Sequence, residues 1–353
     1  MATVELEHVT VRRSGKTLLD DVNLSVADGE LIGVIGSNGS GKTTLLRAIA
    51  GLERLKAGTI WVGGVDVTHV ATADRGMAMV FQRSVLIPNR DVQRNIAFPL
   101  EVRHQPAGQI STRVAAETRA LHIEALLTRS PEGLSAGEAQ LVQVARAFVR
   151  RPSLLLLDEP LACLDESLTQ HMRFELRSLQ RGYGVTTFLT TTEPVEAMSL
   201  PDRIVVLDGG HVVQVGTPTE VYEQPVSLEA AATTGHVSTV TAQVETDSEG
   251  FWLVHPSFRQ RAWRPSLANY VGSGVLVALR PTWTRVTPDG PVISTVTEIN
   301  LVTGTITVEF GSAAQPDHVE IAAPAPTLRR GDQVMFSIEE LALFDPITGR
   351  CLP

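Results

Sequence analysis

The sequence predicts an α/β phosphate-binding domain followed by a small all-β barrel, and three observations carry that prediction. From Val4 to about Tyr222 short apolar runs alternate with helical patterns, the arrangement of a largely parallel sheet with helices packed on it. Gly36-Ser37-Asn38-Gly39-Ser40-Gly41-Lys42-Thr43 falls between one apolar run and one helix, with the spacing of a phosphate-binding loop. Beyond Gly235 the hydrophobic period changes to two, as in antiparallel strands with one wet face.

Taken in order, Leu31–Ile35 and Leu154–Leu157 are nearly all apolar rather than alternating, so both read as strands covered on two faces. Apolar residues at mixed three- and four-residue spacing predict helices over Thr43–Gly51, Val92–Leu100, Ser111–Leu121, Glu138–Arg150 and Leu168–Arg181, the fourth stopped by Pro152. After Gln224-Pro225 comes a small-residue stretch, Glu229 to Gly235, which places the domain boundary near Gly235 and divides the chain into residues 1–235 and 236–353. In the second part Val237–Val244, Gly274–Leu279, Val292–Ile299, Thr303–Phe310 and Gln333–Ile338 alternate apolar and polar positions between Gly, Pro and Asp turns.

Composition bounds the function. A chain of 353 residues, 43% hydrophobic and 20% charged, is long enough for more than one core and is not mostly disordered. No run approaches the ~18 apolar residues of a membrane-spanning helix, and the acidic N-terminus lacks a secretory signal, so a cytoplasmic location is expected. Thirty basic against thirty-nine acidic residues leave a net charge of -9, the wrong sign for a general nucleic-acid coat. Cys163 and Cys351 lie far apart without metal-ligand spacing, which fits a reducing compartment and argues against a disulfide or zinc role.

The chemistry concentrates at the loop. Its glycines let the backbone curl so that N–H groups from Gly36 through Thr44 point at the β- and γ-phosphates; Lys42 brings a positive charge there, and the Thr43 hydroxyl can ligate Mg²⁺. Leu154-Leu-Leu-Leu-Asp158-Glu159 delivers two carboxylates at the end of a buried strand, where open α/β sheets place their ligands. Asp158 would hold Mg²⁺ through water and Glu159 would polarise the attacking water. An apolar run ending in Asp-Glu is by itself only a strand meeting a solvated loop; its pairing with residues 36–43 makes the functional reading.

These residues resemble the ATP-binding subunits of ABC transporters. Added to the loop and Asp158-Glu159 are Gln82 in Val80-Phe-Gln, similar to the Q-loop; Leu134-Ser-Ala-Gly-Glu138, in the place of the Leu-Ser-Gly-Gly-Gln signature; and Leu164-Asp165 of the D-loop. The resemblance covers residues 1 to about 235, and Ala278-Leu-Arg-Pro281 with Leu343-Phe-Asp-Pro-Ile-Thr-Gly349 is similar to the TOBE domain of sugar-uptake importers. It implies a P-loop NTPase fold with a RecA-like core and a helical subdomain, followed by an OB-like TOBE barrel. It also implies ATP and Mg²⁺ as cofactors, with Gln82 as a further ligand of the metal. Two subunits, a homodimer more readily than a heterodimer, would each sandwich ATP against the other's Ser135, Gly137 and Glu138. Permease subunits would dock on the region from Gln82 to Leu127 and a solute-binding protein would act indirectly, with no nucleic acid, at the inner face of the plasma membrane.

Five departures from the family pattern cluster at the nucleotide. Arg13 and Ser14 stand where an aromatic would stack on adenine, although Arg13 could itself lie on the ring; Ala162 replaces the D-loop serine; and Leu141 replaces a basic residue after the signature. Thr192 occupies the position expected to be the switch histidine, offering one hydroxyl to the γ-phosphate but no imidazole. Ser135 and Glu138 form a capping box, and the Glu138 carboxylate puts negative charge where a phosphate must dock. The expected function is an ATPase that energises an importer for a sugar or related solute. A low-turnover regulatory subunit paired with a competent ATPase stays open as the alternative.

Overall fold

The alternation of strand and helix resolves into two sheets in the N-terminal unit. The computed structural model describes residues 2–162, 164–312, 315–323 and 328–353; Cys163 lies outside them. In chain order the elements are β1 (Val4–Arg13), β2 (Lys16–Val26), β3 (Leu31–Ile35), α1 (Lys42–Ala50), β4 (Ala57–Val62), β5 (Val65–Asp66), β6 (Met77–Val80), α2 (Val92–Glu101), α3 (Ala107–Ala120) and α4 (Ala136–Phe148). There follow β7 (Leu154–Asp158), α5 (Glu166–Tyr183), β8 (Thr186–Thr190), α6 (Pro194–Ser199), β9 (Arg203–Asp208) and β10 (His211–Gly216).

One sheet has the order β10-β9-β3-β8-β7-β6, parallel except for β10. β3, β7 and β8 are buried at every position, which is why β3 and β7 read as uninterrupted apolar runs. The second sheet, β2-β1-β4-β5, is antiparallel, a feature the reading of one largely parallel sheet did not anticipate. Its sequence signal is the period-two spacing of Val4 with Leu6 and of Val9 with Val11, interrupted by a register shift between Leu6 and Val9. One apolar cluster packs α1 and the antiparallel sheet on one face of the parallel sheet, and another packs α2 to α5 on the opposite face. The expected helices are all present, although α3 starts at Ala107 rather than Ser111, with Pro106 at its N-cap.

After α7 (Pro218–Glu223) and α8 (Leu228–Thr233) come ten strands: β11 (Ser238–Asp247), β12 (Gly250–His255), β13 (Phe258–Ala262), β14 (Gly274–Leu279), β15 (Thr284–Val286), β16 (Val292–Asn300), β17 (Thr305–Ser312), β18 (Gln315–Ala322), β19 (Gln333–Ile338) and β20 (Ala342–Phe344). They form two five-stranded antiparallel sheets, β13-β12-β11-β14-β20 and β15-β19-β16-β17-β18, around one apolar core. The compact units divide at Thr219/Glu220, so the boundary expected near Gly235 falls inside the second unit. The reason is packing: the small residues of α8 are close-packed helix, with Ala230 and Ala231 fully buried. Arg280 Nη2 donates to Ala231 O at 3.0 Å and to Thr234 Oγ1 at 2.9 Å, and Leu228 N–H donates to Gly349 O at 2.9 Å.

Candidate functional site

The loop leaves β3 between β8 and β9 and enters α1. Gly36 has φ 145°, and a Cβ there would lie 2.1 Å from Leu207 O, so only glycine lets the chain turn beside β9. Gly41 caps α1 at φ 111°, where a Cβ would meet Leu18 O at 2.9 Å. The buried Lys42 Nζ donates to Gly36 O at 2.8 Å and Ser37 O at 3.0 Å, so the ammonium lies folded over the loop. Ser40 is buried and its hydroxyl has no partner among the described residues, while its N–H donates to Ser37 O at 3.2 Å.

At the ends of the neighbouring strands a hydrogen-bonded chain forms. Thr43 Oγ1 donates to Asp158 Oδ1 at 3.0 Å, and Thr190 Oγ1 donates to the same oxygen at 2.9 Å. Thr190 Oγ1 in turn accepts from the Glu159 N–H at 2.9 Å. Glu159 adopts φ 45°, a left-handed conformation that costs a non-glycine residue ~1–3 kcal/mol and is held by its surroundings. Gln82 Nε2 donates to Glu159 Oε2 at 2.6 Å. Buried Gln143 holds the Gln82 loop to α4, donating from Nε2 to Phe81 O at 2.8 Å and accepting the Val85 N–H at 2.9 Å.

Of the residues expected at the site, Arg13, Asn38, Gly39, Gly41, Lys42, Thr43, Thr44, Gln82 and Glu159 line one cleft of about 380 Å³. Asp158 sits behind Thr43, and Gly36 and Ser37 act through their carbonyls on Lys42. Arg13 reaches the cleft with its guanidinium paired to Glu53, which also lies 3.3 Å from Arg47 Nε. Lys16 and Leu18 line the cleft as well and were missed. They reach it only through the β1–β2 hairpin, whose Ser14-Gly15 turn has φ 50° and 81°.

The structure does not bring Thr192 to this cleft. It is exposed and without a hydrogen bond among the described residues; the threonine that touches the carboxylates is Thr190, two positions earlier, because β8 ends beside Asp158. Thr191 is turned to Glu196, donating to Oε2 at 2.6 Å. Ser135, Gly137 and Glu138 open α4 and are not part of the cleft's lining. The capping box is present: the Glu138 N–H donates to Ser135 Oγ at 3.2 Å and the Ser135 N–H to Glu138 Oε2 at 2.8 Å. That N–H holds the Glu138 carboxyl below its usual range, and Arg129 Nη1 lies 3.3 Å from it. Leu141 belongs to the core beside the helices, and Ala162 is exposed.

Residues 19–162 match the family model described as "ABC transporter". The sn-glycerol-3-phosphate import ATP-binding protein UgpC of Escherichia coli is 42% identical over 274 residues, 75% of this chain and 77% of that protein. The protein of the same name from Brucella abortus is 40% identical over 292 residues, 82% and 80% of the two chains. Among solved structures, cbiO1 from Clostridium perfringens, part of an ABC transporter complex, superposes with a TM-score of 0.58 at 25% identity, covering 63% of this chain and 90% of its own. A dimeric ATP-binding cassette in a post-hydrolysis state with ADP and Pi gives 0.56 at 26% identity, with 61% and 98% covered. With phosphate loop, paired carboxylates and Q-loop glutamine meeting in one cleft, the chain belongs to the ABC transporter family and is one of its ATP-binding, ATP-hydrolysing subunits.

Proposed function

We propose that the chain energises a membrane importer of a sugar or related solute, working as one of a pair of copies on the cytoplasmic face of the plasma membrane. The chain Thr43–Asp158–Thr190–Glu159–Gln82 carries the hydrolytic part of this reading, and the names of the relatives support the import part. ATP phosphates occupy the cleft in front of the loop N–H groups, and Lys42 exchanges its carbonyl partners for phosphate oxygens. The Thr43 hydroxyl, the Asp158 carboxylate and the Gln82 amide are hard oxygen donors that suit Mg²⁺, which when bound neutralises phosphate charge. Glu159 accepts the proton of the attacking water once Gln82 releases its carboxylate.

Beside Gln82 lies an apolar hollow of about 500 Å³, lined by Phe81, Val85, Ile87, Phe98 and Val102. It supports docking of a permease segment within the region from Gln82 to Leu127, where a bound segment bears on the loop that holds Glu159. Ser135 and Gly137 present a hydroxyl and an N–H to the nucleotide of the second copy, and the C-terminal unit is a TOBE-type regulatory domain on the motif resemblance around Arg280 and Asp345. The low-turnover alternative is favoured by one observation, the exposed Thr192 where a histidine is expected.

The test is steady-state hydrolysis by the chain assembled with its co-purifying membrane subunits. Wild type should turn over with Mg²⁺, and Glu159→Gln should bind ATP while losing ~10²–10⁴ of the rate, the range of a general base. Undiminished hydrolysis by Glu159→Gln would refute the base assignment; no turnover by the assembled wild type would favour the regulatory reading.

A further inference from the structure

We propose that His122, His171 and Glu175 form a surface site for a divalent transition metal of zinc-like chemistry, separate from the nucleotide cleft. Their donor atoms lie within 4.8 Å of one another. His122 Nε2 is 3.8 Å and His171 Nε2 3.9 Å from one and the same oxygen, Glu175 Oε1, and the two rings stand 5.3 Å apart at 44°. His171 and Glu175 are four residues apart on α5 and so share a face. His122 comes from the turn after α3, at φ 54°, a left-handed conformation that histidine enters more readily than most residues.

The backbone under each ligand is fixed. Leu121 and Ile123 flank His122, Met172 follows His171 and Leu176 follows Glu175; all four are buried in one apolar core. The ligands are therefore placed by packing while the two imidazoles are exposed to water, from which an ion enters, and Glu175 is partly buried beneath them. Two imidazoles and a carboxylate match the donor set of three-ligand zinc sites with an open fourth position.

The distances favour an ion over an ordinary pair. Glu175 Oε1 lies almost equidistant from the two imidazole nitrogens and at hydrogen-bond length from neither. Bonds of ~2.0–2.1 Å in a tetrahedral site set ligands roughly 3.4 Å apart, so the two histidine–glutamate separations need to close by roughly 0.5 Å, and the two imidazoles, whose donor atoms lie within 4.8 Å, turn towards each other by side-chain rotation at the exposed surface. The bound ion would tie the turn after α3 to α5, beside the bond from the Tyr183 hydroxyl to Glu117.

The experiment uses the full chain without a histidine tag, stripped by chelator and kept in excess Mg²⁺ so that the Thr43–Asp158 oxygens are supplied with a hard cation. Titration with Zn²⁺ should show one saturable site per chain. His122→Ala and His171→Ala should each weaken it at least ~10-fold, the loss that even indirect ligand partners cause, and Zn²⁺ should raise the Tm of wild type but not of the double variant. Should a histidine variant fail to fold, Glu175→Gln keeps the side-chain shape and should show the same weakening. The proposal is overturned if wild type binds no Zn²⁺ at micromolar metal, or if the folded variants bind it as tightly as wild type, which would place the metal on other groups.

Discussion

Thr190→Val tests whether the hydroxyl that links the two carboxylates positions them. Valine has nearly the volume of threonine, so the change opens no cavity and removes two bonds: the donation to Asp158 Oδ1 at 2.9 Å and the acceptance from the Glu159 N–H at 2.9 Å. Thr190 is fully buried, so water does not replace the lost partner. A hydrogen bond to a charged group contributes ~1.5–3 kcal/mol and an unpaired backbone N–H costs ~1–3 kcal/mol. Because one hydroxyl serves both, about 3 kcal/mol of stability should be lost. Glu159 sits at φ 45°, and the anchor on its N–H opposes the strain of ~1–3 kcal/mol in that conformation. With the anchor gone the base relaxes away from its position, and turnover should fall ~10²-fold, the lower end for losing a general base. Urea unfolding of the isolated chain reads the first effect and steady-state ATPase of the assembled complex the second. Thr192→Val, at an exposed position, should stay within ~0.5 kcal/mol. The reasoning fails if Thr190→Val matches wild type in both assays, or if Thr192→Val is the more damaging of the two.

Gly36→Ala places a Cβ against Leu207 O at a left-handed φ; nucleotide binding, followed by fluorescent ATP titration, should be lost together with at least ~2 kcal/mol of stability. Glu117 on α3 is 1% exposed, accepts the Tyr183 hydroxyl at 2.5 Å through Oε1, and has no partner for Oε2 among the described residues. Burial pushes its carboxyl up, and burial together with the Glu117 bond pushes Tyr183 up to about 12. The folded chain then holds a proton that the unfolded chain releases, so stability falls as pH rises through 4.5, the ordinary glutamate value, and upward. Glu117→Gln keeps the acceptor for Tyr183 and should flatten that decline in urea unfolding at pH 5 and 8. Glu138→Gln should remove a charge from the start of α4 while keeping the capping box; it should raise ATPase turnover in the assembled complex, and no rise would mean this position does not limit the rate.

Features whose causes lie within a few residues were legible in the chain. The phosphate loop is one: Gly36 and Gly41 are required by backbone angles and close approaches that belong to the turn itself. The Ser135–Glu138 box is another, closed by two bonds across three residues. β3 and β7 announced themselves because burial on both faces forbids polar residues at any position. β8 escaped notice because its buried Thr186, Thr187 and Thr190 look polar in sequence while their hydroxyls bond to groups from other segments or to nearby carbonyls.

Residue type, period and spacing suffice for the fold class, the family, and the groups able to hold phosphate and accept a proton. It takes the folded chain to bring Thr190 and not Thr192 to Asp158, Gln82 to Glu159, Glu53 to Arg13 and Lys16 to the cleft, and to pack Glu229–Gly235 into the second unit. These meetings depend on strand order, register and packing, which join residues from segments far apart in the chain. A one-residue slip in register turns every side chain of a strand to the other face, so no local pattern carries that information.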